Sequence, residues 1–308
     1  MNRILVLGSN GLVGNSLKEI LGPNHVYHTK NDSNLLSSEV TKNYLEYQVK
    51  NKGVDTIINC AAKVGGVLYN QKNNENFFLE NFKINSNVIS TCLELQIKNF
   101  VNLSSTCVFP DDVPIYPLTP DQMLVGQPHH TNFGYAFSKR ISTYQTSIIN
   151  KVLKYNWITV VPTNIYGPND NFNLENGHVI PSLIHKAFLS KKNNTKFVIW
   201  GDGEAERQFI YSMDLAKNIL WAIDNWNKDE PFMSVNPKEY KIKKIVDIIS
   251  EKFNIKSEEI EYDFDKPKGQ EKKPAISNIQ SGYNFIGIKE GLSETIDWFV
   301  KNYDFVRK

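Results

Sequence analysis

The stretch Ile4-Leu5-Val6-Leu7-Gly8-Ser9-Asn10-Gly11-Leu12-Val13-Gly14 decides the fold of this chain. Four consecutive apolar residues read as a buried strand, glycines follow at a three-residue spacing, and Asn15 to Leu21 reads as a helix. Gly8 allows a tight turn, Gly11 lets the backbone approach a pyrophosphate, and Gly14 permits the helix to pack close on the strand. With Ser9, Asn10, Leu12 and Val13 between them, these residues make a dinucleotide-binding loop. GxxGxxG carries little weight by itself; its position directly behind a strand gives it force.

Outward from that loop, strands and helices alternate. The second strand is expected at His25 to Thr29, the third from Val54 into Ala61-Ala62, and a helix at about Phe77 to Leu95. The next strand, Asn99 to Leu103, delivers Ser105 to its carboxyl end. A helix follows to about Asn150, then a strand at Trp157 to Val161. This alternation predicts an α/β protein with a doubly wound parallel sheet of Rossmann type. From Pro162 onward turn formers dominate, and the remainder reads as a smaller α/β lobe. Residues 1–162 are expected to bind the dinucleotide and 163–308 the substrate, with about 208–235 returning to the first domain. Ala61 and Ala62 are small residues against which a dinucleotide backbone fits. No carboxylate precedes Asp32 at the end of the second strand, where His28 and Lys30 stand instead. That pair favours a 2′-phosphate, hence NADPH over NADH.

Composition narrows the function classes. Of 308 residues, 41% are hydrophobic and 22% charged, and the formal net charge is +2. This gives no electrostatic footprint for nucleic acid or a membrane surface. The longest apolar runs fall short of a membrane span, and the N-terminus enters a strand without a signal-like segment, so a cytoplasmic protein is expected. Cys60, Cys92 and Cys107 show no CxxC spacing, so neither a disulfide framework nor a metal site is expected.

The chemistry is declared by Leu103-Ser104-Ser105-Thr106-Cys107-Val108-Phe109-Pro110 and by Tyr135-Ala136-Phe137-Ser138-Lys139. A Tyr and a Lys four apart on a helix share one face, so the ammonium favours the ionised phenol and readies it for proton transfer. Ser105 supplies a hydroxyl that holds a substrate oxygen beside it.

The GxxGxxG loop, Ser105 and the Tyr135/Lys139 pair together resemble the extended short-chain dehydrogenase/reductases. Within them, the chain is similar to the GDP-L-fucose synthase family of epimerase/reductases. That narrower resemblance rests on Ala61-Ala62-Lys63-Val64-Gly65-Gly66, the Ser104–Pro110 segment, Pro162-Thr163-Asn164-Ile165-Tyr166-Gly167-Pro168-Asn169-Asp170-Asn171-Phe172, His178-Val179-Ile180-Pro181, and Trp200-Gly201-Asp202-Gly203 with Arg207. The resemblance implies a reductase triad of Ser105, Tyr135 and Lys139 and an epimerase pair of Cys107 and His178. It implies that Pro162, Asn164, Ile165 and His178 join the glycine loop at the dinucleotide. It places Val64, Thr106, Asn164, Val179, Lys186, Trp200, Arg207 and, from the Lys266–Lys273 loop, Lys266 at a nucleotide sugar. Lys186 stands where the family often has arginine, which keeps the charge and loses the bidentate fork. Asn10 stands where a basic residue often meets the 2′-phosphate. The resemblance also implies a homodimer paired through the helices at Phe77–Leu95 and Tyr135–Asn150.

A 4-keto sugar has acidified protons at C3 and C5, because the carbanion at either carbon rests its charge on O4. Cys107 would take a proton from one face and His178 return one to the other, before hydride reaches C4 from NADPH and Tyr135 protonates O4. Three readings stay open at this point: epimerisation and reduction of a GDP-4-keto-6-deoxy sugar, the same machinery or reduction alone on another 4-keto nucleotide sugar such as a GDP-heptose, and a dinucleotide-binding protein without turnover. An intact Ser105, Tyr135 and Lys139 speaks against the last.

Overall fold

A computed structural model describes residues 3–113, 115–265 and 272–308. In chain order the first half runs β1 (Arg3–Leu7), α1 (Leu12–Leu21), β2 (Val26–His28), α2 (Ser38–Lys52), β3 (Val54–Asn59), α3 (Val67–Lys72), α4 (Asn74–Glu94), β4 (Asn99–Leu103), α5 (Phe133–Leu153) and β5 (Asn156–Pro162). The second half runs β6 (Asn164–Tyr166), α6 (Val179–Asn193), β7 (Phe197–Trp200), β8 (Glu206–Tyr211), α7 (Ser212–Asn225), β9 (Phe232–Ser234), β10 (Glu239–Lys241), α8 (Ile242–Phe253), β11 (Ile260–Asp263) and α9 (Ile288–Lys301).

The central sheet has the order β2-β1-β3-β4-β5-β9, and every pairing in it is parallel. Its strands are apolar on both sides because both faces are covered. Ile4, Val6, Ile58, Val101, Ile158 and Val160 pack with Val13 and Leu17 of α1 and with Leu215 and Ile219 of α7. Their neighbours Leu5, Leu7, Ile57, Phe100 and Trp157 pack the other way, against Leu45 of α2 and Val88, Ile89 and Cys92 of α4. The period-two alternation thus serves two cores, each buried Leu, Ile, Val or Phe contributing roughly 1.5–3 kcal/mol. The order in which the chain adds strands reverses between β1 and β3, and such a switch point opens a crevice at the strands' carboxyl ends.

Two small sheets, β10-β8-β6 and β11-β7, surround a third core that includes Phe172, Ile184, Phe197, Phe209, Ile249, Ile296 and Phe299. α7 and β9 lie on the central sheet, whereas β8 just before them belongs to the three-stranded one. Two helices, α2 and α3, were not legible as periodic segments. α2 buries only Thr41, Leu45 and Gln48, too thin an apolar stripe to read against its polar background. β3 stops at Asn59 rather than at Ala62, because the Asn59 side chain accepts from the Ala61 N–H and turns the chain there.

Candidate active site

The glycine loop is built by close contacts. Gly8 has φ +75°, and a Cβ on it would lie 2.8 Å from the Ala61 backbone. A Cβ on Gly14 would lie 2.4 Å from the Gly8 carbonyl oxygen. Ser9 donates both its N–H and its hydroxyl to the His28 carbonyl, at 2.9 Å each. Gly11 is the N-cap of α1, which has neither a side-chain cap nor an acidic residue in its first turn. Asn10 is exposed, Leu12 half-buried and Val13 buried. A positive helix end with close backbone approach and no internal counter-charge fits a pyrophosphate.

Behind β3, the half-buried Ala61 and Ala62 lie against this loop, and side-chain amides hold the segment in place. Asn59 bonds Asn85 at 3.1 Å, and Asn81 bonds both the N–H and the carbonyl of Lys63, at 2.9 and 3.0 Å. Val64 is exposed just beyond. Gly66 then donates to the Asn176 carbonyl at 2.8 Å, and a Cβ on it would lie 2.4 Å from the Gly177 oxygen. That contact brings the Ala61–Gly66 loop against the backbone of Asn176 and Gly177, just before His178.

His28 corrects the expectation from sequence. It is 2% exposed, bonds Ser33 Oγ at 2.9 Å and meets the Tyr44 ring edge-on at 5.0 Å. Burial pushes its pKa down, so it packs as a core histidine and does not present a cation to a phosphate. Lys30 is exposed at the same strand end. Asp32 is folded back on Thr29, accepting from its N–H at 2.6 Å and its hydroxyl at 2.8 Å.

The turn after β4 and helix α5 carry the candidate reactive side chains. Ser105 caps a 3-10 turn, Thr106–Val108, its Oγ accepting from the Cys107 N–H at 3.2 Å, which leaves the hydroxyl proton to donate elsewhere. The turn is fixed from α5 by Arg140, which donates to the Val108 and Gly126 carbonyls at 2.6 and 2.7 Å. Asn102 bonds Ser142 at 3.1 Å and Ser104 bonds Thr143 at 3.2 Å, so helix and strand are stitched by polar pairs. Lys139 is 2% exposed and donates to the Leu103 carbonyl at 2.7 Å, with its Nζ 6.0 Å from the Tyr135 ring centre. Burial brings its pKa down to about 8. Cys60, whose thiol burial raises to about 12, acts on the same ammonium.

The Tyr135 phenol differs from the expected ionised form. Burial pushes its pKa up, and a thiolate at Cys107 would push the same way, while Lys139 spends its ammonium on a backbone carbonyl. A protonated phenol is a proton donor, the role a carbonyl reduction requires. Burial lowers the pKa values of Arg207 and Lys273, and both cations lie within electrostatic reach of Cys107.

Pro162 ends β5, and Asn164 and Ile165 open β6, where Asn164 donates to the Gln208 carbonyl at 3.0 Å. His178 is the exposed N-cap of α6, with the exposed Val179 next to it. Lys186 of α6 places its ammonium 4.2 Å from the centre of the Trp200 ring at the end of β7. Lys266 lies outside the described residues. Sequence reading missed Arg140, because a charged residue inside a helix reads as solvent-facing, and missed the amide clamp, because asparagines carry no periodicity. Asp111, His129 and His130 gather donor atoms within 4.8 Å of one another, but Arg207 and Lys273 act on His129, and that positive field disfavours a cation.

Fold and site together describe a dinucleotide-dependent α/β enzyme architecture with a Ser, Tyr and Lys at the sheet's carboxyl edge. Residues 4–238 match the NAD dependent epimerase/dehydratase family, and the chain belongs to it. It is 37% identical over 99% of its length to a GDP-L-fucose synthase of Dictyostelium discoideum, covering 97% of that protein. It is 31% identical to a GDP-L-colitose synthase of Yersinia pseudotuberculosis, covering 98% of this chain and 100% of that one. The crystal structure of a GDP-L-fucose synthetase from Naegleria fowleri bound to NADP superposes with a TM-score of 0.90 at 31% identity, over 100% of this chain and 95% of that one.

Proposed function

We propose that this protein is an NADPH-dependent epimerase/reductase that converts a GDP-4-keto-6-deoxy sugar to GDP-L-fucose or a close relative. The observation that carries this reading is geometric: Ser105 and Cys107 sit on one 3-10 turn at the end of β4, pinned by Arg140 of α5, the helix that also carries Tyr135 and the buried Lys139. The relatives named above, with their GDP-sugar products and bound NADP, support it.

The cradle of Gly8, Gly11 and Gly14 at the bare N-terminus of α1, with the Ala61 backbone against it, fits a dinucleotide pyrophosphate. NADPH, when bound, supplies the hydride for C4. Residues 1–162, with the α7–β9 return, hold the dinucleotide in this reading, and the rest of the chain holds the sugar nucleotide. Cys107 removes a proton at C3 or C5, leaving the electron pair as an enolate whose charge on O4 is met by Ser105 and Tyr135. His178 protonates the opposite face. Once the ring is configured, Tyr135 gives its proton to O4 as hydride arrives at C4, while Lys139 offsets the charge left on the phenol. Arg207, Lys186 and Trp200 bind the nucleotide diphosphate and base.

α4 and α5 pack on each other and leave Leu79, Phe82, Tyr144, Ile148 and Val152 exposed, Val152 at 71%. An apolar face of this kind supports a homodimer through these helices, and we take the enzyme to be cytoplasmic. Among the described residues no helix is long and apolar enough to cross a membrane.

Turnover with NADPH and a panel of 4-keto nucleotide sugars, with product configuration read by NMR, tests the substrate. Tyr135→Phe should lower NADPH oxidation by roughly two to four powers of ten. Cys107→Ser and His178→Asn should lose solvent-deuterium incorporation at C3 or C5 yet still reduce a pre-epimerised 4-keto sugar. Parent-like exchange in both would make these two residues structural and the protein a reductase alone.

A further inference from the structure

We propose that Asn74 is the positioning residue for Tyr135: from the start of α4 it caps the first turn of α5 and holds the phenol on the face it shares with Lys139. The proposal rests on the reading of Tyr135 as proton donor given above.

Tyr135 is the third residue of α5, in a turn whose leading N–H groups have no partner within the helix. The helix does not supply its own cap. Asn132, at the N-cap, makes no side-chain hydrogen bond to it, and the Asn132 Oδ1 is buried without a partner. Gly134 weakens the turn further, because glycine gives up more backbone freedom in a helix than any other residue. In a helix frayed through Gly134, Tyr135 leaves the face it shares with Lys139. Lys139, a turn further on and bonded to the Leu103 carbonyl, stays where it is.

Asn74 closes this gap from the neighbouring helix. Its Oδ1 accepts from the Gly134 N–H at 3.0 Å, and its Nδ2 donates to the His130 and Thr131 carbonyls at 3.4 Å each. One half-buried amide thus grips both the first turn of α5 and the segment that enters it. The glycine belongs to the same contact: a Cβ on Gly134 would lie 2.0 Å from the Asn74 carbonyl oxygen, so the two backbones meet where no side chain fits. The residue whose backbone demands glycine at 134 is the residue whose side chain offsets what that glycine costs.

The cap is itself anchored. Asn70 donates its amide to the Gly65 and Gly66 carbonyls at 2.6 and 3.1 Å, and Asn73 donates to the Tyr69 carbonyl at 2.9 Å. The Tyr69 ring lies where a Cβ on Gly65 would come within 2.6 Å of it. Together, α3 and the start of α4 form an elbow seated on the Gly65–Gly66 loop, which also meets Asn176 and Gly177. The start of α5 and the turn before His178 are therefore referred to one piece of main chain.

Asn74→Ala removes the cap without adding bulk, whereas Asn74→Asp keeps an oxygen for the Gly134 N–H and loses only the amide donors. In a single turnover of enzyme-bound NADPH with excess pre-epimerised 4-keto sugar, the rate constant of Asn74→Ala should fall about 10- to 100-fold, the scale of a misplacement of about 1 Å. The amplitude should stay full; a merely damaged fold would leave a smaller amplitude at the parent rate. Asn74→Asp should recover most of the rate. Without cofactor or substrate, the Gly134 amide should exchange with solvent slowly in the parent and several-fold faster in Asn74→Ala, read by NMR. NADPH binding by fluorescence titration checks that each variant is folded. Asn74→Ser, whose hydroxyl stops one bond short of the amide, stands in if Asn74→Ala does not fold. A parent-like rate constant in Asn74→Ala, no recovery in Asn74→Asp, or a Gly134 amide already unprotected in the parent would overturn the proposal. Tyr135→Phe, measured alongside, separates the two ideas: if it reduces like the parent the reading of Tyr135 fails, whereas if it alone loses rate only the role of Asn74 fails.

Discussion

Lys139→Met removes a cation that the fold holds almost entirely out of water. The ammonium is 2% exposed and has one described hydrogen bond, to the Leu103 carbonyl. Burial takes its pKa from 10.5 to about 8, so the charged form is less favourable in the folded chain than in the unfolded one. Between those two values the unfolded chain binds more protons, and stability from this group rises with pH across that window; below about pH 8 the full penalty applies. The gap is worth ~3 kcal/mol at about 1.4 kcal/mol per pH unit. Relative to Lys139→Met, the parent should therefore gain ~3 kcal/mol in unfolding free energy between about pH 7 and pH 10.5, most other titrations cancelling in the difference. Urea unfolding of both proteins, followed by circular dichroism across that range, measures it. Cys60, raised by burial from 9.0 to about 12, lowers stability as pH rises past 9 in both proteins and largely cancels in the difference. A difference that stays flat within about 0.5 kcal/mol would show that the ammonium is solvated, and the account of Tyr135 as a buried proton donor beside it would fall with it.

Gly14→Ala would place a Cβ 2.4 Å from the Gly8 oxygen, so it should cost roughly 1–3 kcal/mol and abolish NADPH binding by fluorescence titration; parent-like affinity would refute the loop geometry. With His28 buried and inclined to neutrality, Lys30→Glu is expected to lower the ratio of NADPH to NADH specificity constants several-fold, and an unchanged ratio removes Lys30 from the 2′-phosphate site. Ile148→Asp, at a position 57% exposed on α5, should convert a dimer to a monomer by light scattering, and a monomeric parent at micromolar concentration would contradict the proposed pairing.

How much of this was legible in the sequence depends on the kind of signal each part carries. β1, its glycines and α1 were legible because an apolar run, a turn and a helix each leave a local pattern. The triad positions follow from spacing on α5 and from the carboxyl end of β4. The protonation of Tyr135 did not, because it depends on where the Lys139 ammonium points, and a nearby backbone carbonyl competes for it. His28 misled for a related reason: a histidine at a strand end looks solvent-facing until Ser33 and Tyr44 close over it. The amides Asn59, Asn81 and Asn85 and the buried Arg140 hold the site through long-range hydrogen bonds, which no local pattern records.

The contact between Gly66 and Gly177 has a consequence for how such a cleft can be altered. With 2.4 Å between a would-be Cβ and a carbonyl oxygen, and a backbone hydrogen bond alongside, the spacing between the dinucleotide edge and the turn bearing His178 is set by main chain against main chain. Any side chain at residue 66 would drive those two backbones apart, and with them the two ends of the chemistry. In the proposed reading, room for a bulkier sugar comes from exposed flanks such as Val64 or Val179. The glycine pair acts as a gauge block; on the same reading, substrate range can drift around it while the spacing of these two backbones is kept.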